Sequence, residues 1–263
     1  MIGSILFALL GVAAAGTPCE NLATLKLSDT TITGAVFVPV GPPPARGAGP
    51  RGGGALRGGD APNAAVPQAN RQAPAGARGG GAAAGARGGG APAQPPANIP
   101  AHCRVQLALK PTPDSLVNME LWLPPADKWN GKFMGVGNGG FAGSIQGLMS
   151  DMPQALRLGY ATAGTDTGHQ EQGGAWAIGH SEKLIDFAYR STHEMTLKSK
   201  QIIKTFYDRK PKYSYFKGCS TGGRMALMEA QKYPKDYDGI IAGSNANRHI
   251  HMWIAGVAQS IDL

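Results

Sequence analysis

Apolar residues take every second position from Val117 to Leu123, with Val117, Met119, Leu121 and Leu123 on one face. That period sends alternate side chains to opposite sides and predicts a strand. Thr31 to Val38 (TITGAVFV) and Arg104 to Lys110 have the same character, the first through its β-branched residues. The N-terminal half is therefore expected to begin with antiparallel strands. From Lys132 the pattern changes. Lys132 to Val136, Tyr160 to Thr165, Tyr213 to Cys219 and Gly239 to Gly243 are short apolar runs. Between them lie helical stretches: Met152 to Leu158, with Ser150 as a candidate cap and Pro153 in the first turn, then Ser181 to Tyr207, then Thr221 to Lys232. In the long stretch Ile185, Ala188, Thr192, Met195, Ser199, Ile202 and Phe206 step by three and four along one face. Strands alternating with helices predict an α/β fold built on a doubly wound, mostly parallel sheet.

Two segments break this pattern. Residues 41–100 hold 16 Gly, 11 Pro, six Arg and one Asp but no Phe, Tyr or Trp, and repeat an Arg-Gly-Gly-Gly-Ala unit at 51–55, 78–82 and 87–91. With so little to bury they read as a disordered insert. They also carry +5 of the chain's formal +8, so the basic balance says little about the rest. Nucleic-acid binding is not expected, because the segment lacks interleaved aromatics for base stacking. Ile2 to Val12 followed by Ala13-Ala14-Ala15 reads as a signal peptide over 1–15, too short to span a bilayer when mature, with a buried strand as the alternative. The expected product is secreted or periplasmic and, after cleavage, free of membrane. Its catalytic domain is expected over 16–40 and 101–263.

The chain has three cysteines, an odd count for an exported protein. Cys19 and Cys103 flank the insert and would tie its ends together. Cys219 is left over, either as a buried free thiol or as half of a bond whose partner is not in this sequence.

Gly218-Cys219-Ser220-Thr221-Gly222 is a G-x-S-x-G pentapeptide between a predicted strand and a predicted helix. That context turns a common pattern into a nucleophile elbow, with Ser220 as the catalytic serine. Acyl transfer also needs donors for the developing oxyanion. The N–H of Thr221, first in the helix, is one candidate, and Gly139 or Gly140 of the loop after Lys132–Val136 is the other. A base is harder to find. Only 43 residues follow Ser220, among them Asp236, Asp238, Asp262, His249 and His251. Asp236 and Asp238 read as surface charge, and the two histidines come directly after the next strand. His102, His169, His180 and His193 precede the serine, the wrong order for this fold.

GNGGFAG at 137–143, GYATAGTDTGH at 159–169, DFAYRSTHEMT at 186–196 and the run from Ser214 to Ala246 resemble the tannase and feruloyl esterase family. This family includes the hydrolase of mono(2-hydroxyethyl) terephthalate. The resemblance implies an α/β-hydrolase fold and a secreted serine esterase acting on esters of aromatic acids. It assigns Ser220 as nucleophile and Thr221 with Gly139 and Gly140 to the oxyanion hole. It pairs Cys19 with Cys103, and Cys219 with a cysteine beside the catalytic histidine. It places the lid with its calcium site, the catalytic Asp and the His–Cys pair beyond this length, so no cofactor or metal is expected within the chain. The odd cysteine and the missing base lead to the expectation of a chain truncated before its catalytic Asp and His and inactive alone. The competing expectation is a non-catalytic half-hydrolase that binds a ligand or partner.

Overall fold

A computed structural model describes residues 16–42, 98–141, 143–145, 151–171 and 173–247, together with His251, Ile254, Ala255 and Ala258. The signal peptide, residues 43–97 of the insert and the Ser150 cap lie outside the described residues, as do His249 and Asp262. The ends of the insert are ordered, contrary to expectation, because Gly41 pairs with Ile99 and Ile99 is buried beside Trp122 and Val136.

Among the described residues, seven strands form one sheet: β1 (Thr30–Val38), β2 (His102–Leu109), β3 (Val117–Leu123), β4 (Lys132–Val136), β5 (Ala161–Thr165), β6 (Tyr213–Cys219) and β7 (Gly239–Gly243), in the order β1-β2-β3-β5-β4-β6-β7. The first three pair antiparallel, and β3 pairs antiparallel with β5. From β5 across β4 and β6 to β7 the pairing is parallel. The chain leaves β4 toward β5 on one side and returns to β6 on the other. Such a reversal of strand order opens a crevice at the carboxyl ends of the strands, where ligands bind in open α/β sheets.

Helices cover both faces. Met152 and Leu156 of α1 (Asp151–Arg157) pack with Trp122 and Val136 in one cluster. Met195 and Ile202 of α3 (Ser191–Tyr207) and Met225 of α4 (Thr221–Lys232) pack against Leu121, Phe133 and Phe216 in the larger one. Each such fully buried side chain stabilises by about 1.5–3 kcal/mol relative to exposure. The alternation seen in β3 is real, yet both of its faces are buried, Glu120 included. Glu120 is tolerated because Arg104 grips its carboxylate with Nε at 2.8 Å and with Nη2, and the Trp122 indole donates at 2.9 Å.

The long helical stretch departs from one regular helix. A short α2 (Ser181–Ile185) runs into a π turn at Asp186–Arg190 before α3 begins. The wider turn rotates the upstream face. Thr192, Met195, Ser199 and Ile202 are buried as the spacing predicts, whereas upstream Asp186 takes the interior and Ile185 and Ala188 are only half-buried. Asp186 is accommodated by Arg190, whose Nε donates at 2.6 Å. Cys19 and Cys103 are joined by a disulfide.

Candidate functional site

Ser220 stands between β6 and α4 with φ 58° and ψ −121°. A non-glycine residue there carries strain of order 1–3 kcal/mol and persists only where its surroundings fix it. They do so on both sides. Its N–H donates to Gly243 O at 3.0 Å, and its carbonyl accepts from Arg224 N at 3.0 Å and Ala246 N at 3.2 Å. The side chain is left exposed at the carboxyl end of β6.

The turn can be this tight because neighbouring backbones touch. A Cβ on Gly222 would lie 2.8 Å from Asn138 O and 2.9 Å from Gly137 C, and one on Gly218 would lie 2.2 Å from Gly222 O. The first turn of α4 therefore sits directly on the loop that follows β4. Thr221 closes the junction, its buried hydroxyl donating to Gly140 O at 2.7 Å. Thr221 N–H is among the first helical amides, which have no partner within a helix. Gly140 has a positive φ of 57°, and the space beside the Gly139 Cα is open. Thus the structure brings Ser220, Thr221, Gly139 and Gly140 to one end of the sheet. Thr165 O accepts from the Asn138 amide at 2.9 Å, which ties the glycine loop to the neighbouring strand.

Behind this loop lies an aromatic group not anticipated from the sequence. His169 stacks on Trp176 with centroids 4.0 Å apart, and Phe187 packs edge-on to His169 at 5.5 Å. His169 Nε2 donates to Phe141 O at 2.6 Å, so Nε2 carries the proton. Burial pushes the His169 pKa below its usual value, partly opposed by that hydrogen bond. Phe141 itself is exposed, one residue past Gly140. Beside His169, burial raises the Asp166 carboxyl to about 6 even though Asn118 N, Asn118 Nδ2 and Gly168 N all donate to it. From the other side Arg224 of α4 lies over the Phe187 ring, 4.6 Å from its centroid, and donates to Phe187 O and Ala188 O of the π turn. No local pattern signals the contacts of His169 with Phe141 or of Arg224 with the π turn, since each joins residues far apart in the chain.

Other candidates sit elsewhere. Among the described residues no histidine hydrogen-bonds Ser220, and His251 is exposed. Cys219 is a free, exposed thiol, which corrects the reading of a buried one. Asp236 is not surface charge: it is buried and accepts from His193 Nδ1 at 2.6 Å. Asp238 is exposed, but its carboxylate accepts from Ser214 N at 2.7 Å. His102 stacks on Trp122, and His180 pairs with Asp114.

The family model described as tannase and feruloyl esterase matches residues 103–261. Feruloyl esterase B of Aspergillus niger is 43% identical over 150 residues, covering 57% of this chain and 28% of that protein. A probable feruloyl esterase B of Aspergillus clavatus is 41% identical over the same shares. The crystal structure of feruloyl esterase B from Aspergillus oryzae superposes with a TM-score of 0.64 at 28% identity, covering 87% of this chain and 36% of that one. The chain thus spans 28% of the length of these sequence relatives. The fold is that of the α/β-hydrolases.

Proposed function

The chain belongs to the tannase and feruloyl esterase family, and from that premise we propose that it carries the nucleophile and oxyanion hole of a secreted serine carboxylesterase acting on phenolic-acid esters. In this reading Ser220 Oγ attacks the ester carbonyl. The oxyanion accepts hydrogen bonds from Thr221 N–H and from Gly139 or Gly140, donors fixed before the charge develops. The alcohol leaves, and water then releases the acid from Ser220. The observation that carries this is the backbone of Ser220, held at φ 58° by hydrogen bonds on both flanks with its side chain exposed.

A base and the acid that orients it are required of any such serine. They are expected from the C-terminal sequence that family members carry beyond the matched span. Exposed Phe141, next to Gly140, supports an aromatic acyl group by offering a ring at the edge of the site. The disulfide supports an oxidising compartment, and no described helix is long and apolar enough to cross a membrane.

The test joins this chain to the C-terminal remainder of Aspergillus niger feruloyl esterase B and measures ferulate release from methyl ferulate. Hydrolysis that falls by about 10⁴-fold or more in Ser220→Ala supports the reading, since loss of a nucleophilic serine costs that much. Hydrolysis unchanged by Ser220→Ala contradicts it. The chain alone should retain at most the roughly 10³- to 10⁴-fold acceleration over water that an oxyanion hole and binding provide.

A further inference from the structure

We infer that His193, Glu229 and Asp236 form a binding site for one divalent transition-metal ion, Zn²⁺ in the first instance, which ties α3 to the far end of α4. The site is separate from the ester chemistry. Glu229 lies eight residues beyond Thr221, about 12 Å along the helix axis.

The reason begins with Glu229. It is 0% exposed, no N–H or hydroxyl donor reaches either carboxylate oxygen, and the polar group it faces is the carboxylate of Asp236. Two buried acids facing each other are costly unless they share a proton or a cation lies between them. Its neighbours are suitable ligands. One ligand atom from each of His193, Glu229 and Asp236 lies within 4.8 Å of the others. Zinc bonds of about 2.0–2.2 Å place tetrahedral ligands roughly 3.3 Å apart, so modest side-chain rotations close the set. Tyr233 stacks on the His193 ring at 3.7 Å and fixes its plane. Lys200 donates to the backbone carbonyl of Asp236, not to its carboxylate. The His193 side chain is 22% exposed, which gives an ion and a fourth, water ligand a way in.

The donor set selects the metal. One imidazole with two carboxylates suits zinc and its transition-metal neighbours, whereas calcium takes six to eight oxygens. Metal binding at His193 Nδ1 would replace its hydrogen bond to Asp236 Oδ2, with the imidazole proton on Nε2.

The experiment titrates the metal-free full chain with ZnCl₂ by calorimetry. A parallel thermal-melt series runs with added Zn²⁺. The expected result is one Zn²⁺ per chain and a melting temperature that rises with zinc. Affinity should fall at least about tenfold in both Glu229→Gln and His193→Ala, checked by circular dichroism for folding, and stay unchanged in His180→Ala. If Glu229→Gln does not fold, His193→Ala, at a partly exposed position, carries the comparison. Absence of stoichiometric binding overturns the inference and leaves a neutral Glu229 as the resolution of its burial. Binding that His193→Ala leaves intact also overturns it, as does uptake of Ca²⁺ or Mg²⁺ in preference to Zn²⁺.

Discussion

The hydroxyl of Thr221 donates to the carbonyl of Gly140 at 2.7 Å, so the first residue of the helix behind Ser220 and the glycine loop after β4 are held as one piece. The bond is buried at Thr221. Thr221→Val keeps the shape and removes the donor. It should cost about 0.5–1.5 kcal/mol, the net worth of one hydrogen bond, because Gly140 is exposed and water can reach its carbonyl. Thr221→Ser should recover most of that. Urea unfolding of the three proteins measures it.

The glycines predict an opposite pair of outcomes. Gly222→Ala puts a Cβ within 2.9 Å of two backbone atoms of the β4 loop, where nothing flexible can give way. It should destabilise by about 3 kcal/mol or more, the upper end of overpacking. Gly139→Ala meets nothing within 4 Å and should leave the melting temperature nearly unchanged. Thermal melts of both variants test this.

How much of this was legible depended on whether the signal was local. The ends of β3, β4, β6, α4 and β7 follow from hydrophobic period and flanking glycines, and the structure reproduces them. The elbow at Ser220 was legible for the same reason, since its strand, serine and glycines are contiguous. The π turn was not. Its carbonyls are capped by Arg224, more than thirty residues later, so the periodicity at Ile185 and Ala188 pointed to the wrong face. Asp236 was misread for the same cause, because its partner His193 is 43 residues away.

His169 gives a pH prediction. Its folded pKa lies below the unfolded value of about 6.5, chiefly through burial. The unfolded chain therefore binds more protons in this range. Stability is fully present above about pH 6.5 and is lost as pH falls through the folded pKa. Asp166 acts oppositely, its raised pKa lowering stability as pH rises toward about 6. His102 is also depressed by burial and adds to the His169 effect. His169→Gln, whose amide can still donate to Phe141 O, should flatten the loss between pH 7 and 5 relative to the unsubstituted protein. Unfolding curves at pH 5, 6 and 7 check this, and an unchanged slope would contradict it.

The Cys19–Cys103 bond closes a loop of 84 residues in sequence separation. In the chain-entropy account this stabilises by about 4–5 kcal/mol. Cys103→Ser should lower stability by an amount of that order or somewhat less, and peptide mapping without reductant should find the two half-cystines in one fragment. Two free thiols in oxidised protein would refute the pairing.

The central claim, that Ser220 is the nucleophile, is tested most directly by mapping the acyl adduct formed with p-nitrophenyl ferulate. An activated ester needs little help from a base to acylate a serine in an oxyanion hole, and without a base the adduct is slow to hydrolyse. Exposed Cys219, one residue away, competes as a nucleophile, so the experiment uses a Cys219→Ser background. Mass spectrometry should find the feruloyl group on Ser220, and Ser220→Ala should carry none on that peptide. A feruloyl group elsewhere at equal yield, or one that persists on that peptide in Ser220→Ala, would contradict the account.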